Sequence, residues 1–301
     1  ALCVVLNLEG EGEPFWRKVP LPPPNLPLPL QRLSTDGEAT RKEFVPAKDV
    51  EEGSRRGTRK SRNAGATMKR DYWTSGIRKS ETLVAGGGMN IRWNLSGMEI
   101  ERESFRVIES ECDLHKRMPA PEWRVARRLI HATADMSVAV TLVFRHDAIG
   151  SGLCALRAGA PIFCDSKMIR AGLSIERLKR LNPGYGPESL HCHISDQDVI
   201  DRAKLEGHTR ALCSAEKARP MLDGAIVLIG NAPLALARIA RYALEEGVRP
   251  ALVVGMPVGF VNVVESKELL AQCDVPQIVL EGRRGGSALA VTTLHAVMES
   301  A

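Results

Sequence analysis

The chain has 301 residues, of which 44% are hydrophobic and 26% charged, values that are ordinary for a soluble globular protein. Its formal net charge of +5 is mildly basic. However, much of the excess lies in residues 55–62, aromatic residues are only 4%, and no zinc-finger, RNA-recognition or basic-zipper pattern occurs. We therefore expect no nucleic-acid partner. No apolar run approaches the roughly 18 residues of a membrane span. Seven cysteines without CxxC spacing indicate a reducing compartment, so we expect a cytoplasmic protein without membrane contact.

Residues 1–88 differ in texture from the rest of the chain. Leu21–Leu30 (LPPPNLPLPL) is typical of an extended polyproline-like segment. Glu51–Asn63 is rich in charge, glycine and serine and offers nothing apolar to bury. We predict a disordered N-terminal extension, followed by a folded domain over residues 98–301.

The first part of that domain is predicted to be helical, and a regular alternation of strands and helices follows. The predicted early helices are Glu99–Cys112, Pro121–Ala132, Ala134–Phe144 and Asp147–Ala158. The predicted strands are Pro161–Cys164, Ser189–Ile194, Ala225–Ile229, Ala251–Val254 and Gln277–Leu280. The helices between and after them are Asp196–Leu212, Pro233–Glu246, Glu265–Gln272 and Ser287–Met298. Short, continuously apolar strands separated by helices predict an α/β fold with three layers, α/β/α, around a mostly parallel five-stranded sheet.

Three glycine-rich turns follow predicted strands. They begin at Gly230-Asn231, at Gly255 (with Gly259 four residues on) and at Gly282. Turns of this kind cluster at the carboxyl edge of a parallel sheet, and their main-chain amides favour anions. We therefore predict a pocket for a negatively charged ligand. None of the turns has the spacing of a dinucleotide fingerprint or a Walker A loop.

His131 is the most plausible catalytic residue, because an imidazole is the natural proton donor near neutral pH. It ends an apolar helical stretch, where a histidine is more often a packed core residue. Arg128, three residues earlier, lies on the same helical face and favours an anionic partner, while Thr133 and Asp135 could orient the ring.

Two other motifs each have a functional and a purely structural interpretation. Gly207-His208-Thr209-Arg210 either simply breaks a helix or brings Arg210 into the anion pocket. His191 and His193 would share one face of a strand, but no third ligand has diagnostic spacing, so we predict no metal site.

Several ordered segments together resemble the precorrin-8X methylmutase family, including its cobalt-precorrin-8 branch. The resemblance runs from about Met98 to the end of the chain. It is carried by Ile130–Asp135 (IHATAD), Ala155–Pro161 (ALRAGAP), Gly230–Pro233 (GNAP), Gly255–Glu268 (GMPVGFVNVVESKE) and Gly282–Ser287 (GRRGGS).

The resemblance implies an isomerase of corrin assembly that moves a methyl group from C-11 to C-12 of the macrocycle by a 1,5-sigmatropic shift. It implies that His131 is the proton donor and that Ser104 is a substrate contact. Arg128 and Arg210 would then pair with the carboxylates of the macrocycle. The resemblance implies no cofactor. It also implies that the protein forms a homodimer. The sequence IHATAD favours the cobalt branch. Glu101 favours it too, because the metal-free branch often has tyrosine at that position.

Two other functions are compatible with such a pocket. A non-catalytic corrinoid carrier would bind the product and pass it on. A nucleotide-dependent oxidoreductase would use the same kind of sheet, although the glycine turns give it little support.

Overall fold

A computed structural model describes residues 91–300, so the predicted N-terminal extension lies outside the described residues. The strands are β1 (Leu142–Arg145), β2 (Ile162–Cys164), β3 (Leu190–His191), β4 (Ile226–Ile229), β5 (Leu252–Gly255) and β6 (Gln277–Leu280). The first helices are α1 (Gly97–Glu111), α2 (Ala120–Thr133), α3 (Ala148–Ala158), α4 (Lys167–Gly172) and α5 (Ile175–Leu181). The later helices are α6 (Gln197–Glu206), α7 (Arg210–Lys217), α8 (Pro233–Glu245), α9 (Val263–Ala271) and α10 (Ser287–Met298).

The strands form one six-stranded sheet in the order β1-β6-β5-β4-β2-β3. All neighbouring pairs are parallel except β1–β6, which is antiparallel, with Leu142 opposite Leu280. The direction of strand addition reverses between β2 and β4. Ligands of open α/β sheets characteristically bind at such a switch point, outside the carboxyl ends of the strands.

The sheet is covered on both sides because alternate strand residues point to opposite faces. In β4, Ile226 and Leu228 belong to one buried cluster, which also contains residues of α1 to α5 and α10. Val227 and Ile229 belong to the other, which is built with α8 and the C-terminal part of α9. The predicted three-layer α/β architecture with a mostly parallel sheet is confirmed.

The predicted number of strands and one predicted helix are wrong. The sheet has six strands rather than five, because Leu142–Arg145 forms an edge strand inside the segment Ala134–Phe144 that was expected to be helical. Only Met136–Val140 is helical there, as a 3-10 turn capped by the Asp135 side chain, which accepts from the Ser137 amide. The apolar run alone cannot distinguish a short buried strand from a helix.

Two further differences concern local signals. Helices α4 and α5 were not predicted; each is short, and each is capped by a serine, Ser166 or Ser174, whose hydroxyl accepts from a main-chain amide of the first turn. The predicted helix Asp196–Leu212 is two helices, separated at Gly207, which has φ +66°. Within the described residues, no helix is long and apolar enough to cross a bilayer.

Candidate active site

The turn after β4 lies at the switch point and does bind an anion, but one supplied by the chain itself. The buried carboxylate of Asp165, at the end of β2, accepts from the amides of Gly230 (3.2 Å), Asn231 (2.8 Å) and Ala232 (2.8 Å). Burial raises the pKa of Asp165, and the three amide hydrogen bonds oppose that shift. The side chain of Asn231 is exposed, and its contact with a ligand stays a prediction.

Gly230 also allows two chain segments to approach closely. A Cβ atom at this position would lie 2.6 Å from the Cα of Ser287, the first residue of α10. The Ser287 hydroxyl in turn lies 2.9 Å from that of Ser166, the cap of α4. The first glycine turn thus joins the ends of β2 and β4 to the start of α10.

A cavity of about 420 Å³ opens between the other two glycine turns, at the carboxyl ends of β5 and β6. Its wall is mainly apolar and carries two arginines. The lining residues are Thr133, Asp135, Val138, Val258, Gly259, Phe260, Leu280, Arg283, Arg284, Gly285 and Leu289. The sequence predicts an anion pocket at the glycine turns, and of the predicted positions Gly259 lines this cavity. Gly255 has a packing role instead, since its Cβ would lie 3.0 Å from Leu270 of α9.

The two turns that border the cavity are bonded to each other. The Gly259 amide donates to the carbonyl of Arg283 (3.2 Å), and the Gly286 amide donates to the carbonyl of Met256 (2.9 Å). Gly285 fits only because it lacks a side chain: its Cβ would be 2.2 Å from the carbonyl oxygen of Met256. The shape of the cavity therefore depends on this crossing.

Lys267 stabilises the turn that begins at Gly282. This lysine was not singled out from the sequence. Its buried ammonium group donates to the carbonyls of Gly282 and Arg284, both at 2.8 Å. Burial lowers its pKa to about 8. A lysine inside the motif ESKE was the available signal, but its partners lie 15 and 17 residues away.

Arg284 connects this turn to the end of α2. Its guanidinium pairs with the Asp135 carboxylate and donates to the hydroxyl of Ser137 (2.9 Å). Thr133 donates to the carbonyl of Leu129 (2.8 Å). The side chains of Asp135 and Thr133 therefore form hydrogen bonds with groups other than the His131 ring, which they were proposed to orient.

His131 lies in the last turn of α2 and is half-buried rather than sealed in the core. Its ring meets the edge of Phe105 of α1, with centroids 5.5 Å apart and planes at 72°. It does not line the cavity, although Thr133, two residues later, does. Since residues i and i+2 of a helix point in different directions, the imidazole and the cavity lie on different sides of the end of α2.

Arg128 is engaged by carboxylates of the same chain. It donates to Glu299 at 2.8 and 2.6 Å and pairs with Glu101 of α1, so that its side chain is only 17% exposed. Together these contacts connect α1, α2 and the residue that follows α10. Glu101, at the position where the resemblance implies a frequent tyrosine in the metal-free branch, therefore has a structural partner. Ser104, one turn along α1, donates to the carbonyl of Ile100 (2.9 Å).

Arg210 is exposed at the start of α7 and faces a separate groove, lined also by Ile200, Ala203, Lys204 and His208. This groove shares no lining residue with the cavity at the glycine turns. Within one chain the structure therefore does not place Arg210 and Gly259 in one cavity. The ligand contacts of Arg210, Arg128 and Ser104 stay predictions.

Potential metal ligands occur near the same groove. His193 is hydrogen-bonded through Nδ1 to Asp196 (2.9 Å), rather than held with His191 around a common point. In the part of the chain that the structure describes, ligand atoms of Glu206, His208 and Cys213 lie within 4.8 Å of one another. The guanidinium of Arg202, however, donates to Glu206 (2.8 Å), so a cation already accompanies this cluster.

Comparison with known proteins identifies the class to which this fold and site belong. The family model described as precorrin-8X methylmutase matches residues 99–300. The chain therefore belongs to the precorrin-8X methylmutase family.

Individual relatives agree with this assignment. A cobalt-precorrin-8 methylmutase of Leptospira interrogans is 44% identical over 210 residues, covering 67% of this chain and 93% of the relative. A precorrin-8X methylmutase of Pseudomonas aeruginosa is 38% identical, with 67% and 94% covered. The crystal structure of a precorrin-8X methylmutase from Thermus thermophilus has a TM-score of 0.61 and 44% identity, covering 67% of this chain and 95% of that one.

Proposed function

We propose that this protein is a methylmutase that moves a methyl group from C-11 to C-12 of precorrin-8X or its cobalt form. The observation that carries the proposal is the 44% identity to a relative named for this activity, across 93% of that relative's length. A mainly apolar cavity with arginines at its rim, at the carboxyl ends of β5 and β6, suits a macrocycle with apolar faces and a carboxylate-bearing edge. The carrier alternative is not favoured, because the relatives are named as methylmutases.

The proposed reaction is an isomerisation, so it needs no oxidant, reductant or external methyl donor. The bond from the methyl carbon to C-11 breaks as the bond to C-12 forms, and the double bonds of the ring shift with it. We propose that His131 lends a proton to the conjugated system, which makes it more electron-poor, and recovers the proton when the product forms. The half-exposed position of the ring is compatible with this role.

Ser104, Arg128, Arg210, Gly230, Asn231, Gly255 and Gly259 complete the proposed set of substrate-binding positions. Gly259 has the most direct support, since it lines the cavity. Gly230 and Gly255 act by letting neighbouring groups approach closely. Arg128 can reach a substrate carboxylate only by exchanging one of its two partners, Glu101 or Glu299.

Absorption spectroscopy tests the activity directly. The full chain is incubated with precorrin-8X and, separately, with cobalt-precorrin-8. We expect conversion to the product chromophore, with cobalt-precorrin-8 as the preferred substrate. Binding of either macrocycle without any spectral conversion would reject the enzyme and favour the carrier. Faster conversion of the metal-free substrate would reject the cobalt preference alone.

We also propose that the protein acts in the cytoplasm as a homodimer and that residues 98–301 form the catalytic domain. Family resemblance supports the dimer. The separation of Arg210 from the cavity is compatible with a site to which a second copy of the chain contributes residues. Light scattering of the full chain should give twice the chain mass of 32.9 kDa. A monomer at micromolar concentration would contradict the dimer.

A further inference from the structure

Arg283 differs from the arginine that follows it in the chain. Arg284 is held by Asp135, Ser137 and Thr141. Arg283 is exposed at the rim of the cavity, and among the described residues its guanidinium has neither a hydrogen-bond nor an ion-pair partner. A guanidinium presents several donors in a planar fork that matches a carboxylate. Arg283 is therefore a cation available for a carboxylate ligand at the cavity.

Arg283 also contacts an exposed aromatic ring. Its guanidinium lies 5.5 Å from the ring centroid of Phe260, and that ring is 83% exposed. Val258 and Val261 beside it are 46% and 74% exposed, which makes a contiguous apolar patch on the turn between β5 and α9. Contiguous exposed apolar surface next to a cavity is typical of a binding site. The cation–π contact holds the guanidinium and the ring as one unit.

Other parts of the cavity lining are apolar and buried. Val138, Leu280 and Leu289 belong to buried or largely buried parts of the core, and Lys267 fixes the turn that carries Arg283. The one carboxylate in the lining, Asp135, is neutralised by Arg284. A ligand that fills this cavity thus meets apolar walls and a single unpaired positive charge.

From this arrangement we propose that Arg283 binds a peripheral carboxylate of the macrocycle while Phe260 packs against the apolar ring. This inference rests on the proposed function, because the occupant is its substrate. The pair determines affinity rather than the chemical step, since neither side chain can transfer a proton at neutral pH. Arg283 therefore discriminates carboxylate-bearing macrocycles from their amidated forms, whereas Phe260 contributes apolar contact to both.

Equilibrium binding with matched ligands tests the charge recognition. The ligands are hydrogenobyrinate and the same macrocycle with every carboxylate amidated, and the proteins are the wild type, Arg283→Gln, Arg283→Lys and Phe260→Ala. We expect Arg283→Gln to weaken binding of the acid at least tenfold and binding of the amide less than threefold. The affinity of Arg283→Lys for the acid should lie between those of the wild type and Arg283→Gln. Phe260→Ala should weaken binding of both ligands about equally. Arg180→Gln, which removes an exposed arginine of α5, serves as the matched control and should change neither.

Steady-state kinetics then separates binding from chemistry. We expect Arg283→Gln to raise KM at least tenfold while kcat stays within threefold of the wild type. An unchanged KM, or a loss confined to kcat, would overturn the inference, as would equal effects of Arg283→Gln and Arg180→Gln. If the wild type binds the acid but converts no substrate, the proposed function fails while the binding comparison still decides the role of Arg283.

Discussion

At the scale of single residues, Asp165 organises the turn after β4 through its buried carboxyl group. Three main-chain amides converge on its carboxylate, so the turn after β4 has no free amide at residues 230–232 for a substrate. The sequence indicated that this turn binds an anion but could not indicate which one. The partner is 65 to 67 residues away in the chain, and only the pairing of β2 with β4 brings the two together.

Asp165→Asn therefore should destabilise the fold. The amide group keeps one acceptor oxygen but turns an NH₂ toward main-chain N–H groups, which leaves buried donors unpaired. We expect the free energy of unfolding to fall by about 2–3 kcal/mol in urea denaturation. Asp198→Asn, which alters an exposed ion pair with Lys217, should leave it almost unchanged. Equal effects of the two substitutions would contradict the role of Asp165.

His295 makes stability depend on pH. Burial lowers its pKa to about 4, and its Nε2 accepts a hydrogen bond from the Ser174 amide (3.2 Å), which only the neutral ring can do. The unfolded histidine titrates near 6.5. Between these values the unfolded state binds more protons, so stability is lost as the pH falls from about 6.5 toward 4.

The corresponding measurement is the free energy of unfolding at pH 7 and pH 5 for the wild type and His295→Gln. The wild type should lose up to about 1.4 kcal/mol per pH unit through this group, and the variant should lack that part of the slope. A variant with an unchanged slope would contradict the assignment to His295.

At the level of elements, the crossing of the two turns beside the cavity leaves no room for a side chain at Gly285. Gly285→Ala would place a Cβ 2.2 Å from a main-chain oxygen, whereas Gly97→Ala, at the start of α1, would meet nothing within 4 Å. Neither glycine has a positive φ, so only the available space distinguishes them. We expect Gly285→Ala to cost about 3 kcal/mol and to weaken macrocycle binding. Gly97→Ala should be neutral or stabilising by up to ~1 kcal/mol. Thermal unfolding of both variants compares them, and a Gly285→Ala protein as stable as Gly97→Ala would contradict the packing argument.

The start of α1 allows a second test at this scale. Ser96 caps the helix: its hydroxyl accepts from the Glu99 amide (3.3 Å), and the Glu99 carboxylate accepts from the Ser96 amide (2.8 Å). A chain that begins at Met98 lacks this box, so it should be about 1 kcal/mol less stable than one that begins at residue 91. Equal melting temperatures of the two shortened proteins would show that the cap contributes nothing.

Some elements could be predicted from the sequence because their local signals and their tertiary positions agree. Gln277–Leu280 and Ser287–Met298 were predicted with the observed bounds, since turn residues separate a buried apolar run from a helical one. Leu142–Arg145 was not predicted, because its strand state comes from antiparallel pairing with a segment more than 130 residues later. The contact of Arg284 with Asp135 spans 149 residues and was equally inaccessible. Of the glycine positions singled out from the sequence, Gly259 lines the cavity, and the long-range bonds that shape the cavity have no local signal.

At the level of the whole molecule, the proposed chemical groups lie in different parts of the described chain. The cavity with Arg283 lies at the carboxyl ends of β5 and β6. His131 lies beside Phe105, and Arg210 faces another groove. If the proposed homodimer forms, residues of two chains can surround one macrocycle. Mixing His131→Asn with Arg210→Gln protein should then restore part of the activity that each lacks alone. Absence of any recovery, with dimers present, would contradict a shared site.

The most direct test of the account compares binding and conversion in His131→Asn. Hydrogenobyrinate binding and single-turnover conversion of the preferred substrate are measured for this variant, the wild type and His146→Asn. We expect His131→Asn to bind the product within about threefold of the wild type. Conversion should fall by about 10²-fold or more, as expected for loss of a general acid. Conversion within tenfold of the wild-type rate, with binding retained, would contradict the assignment of His131 as the proton donor.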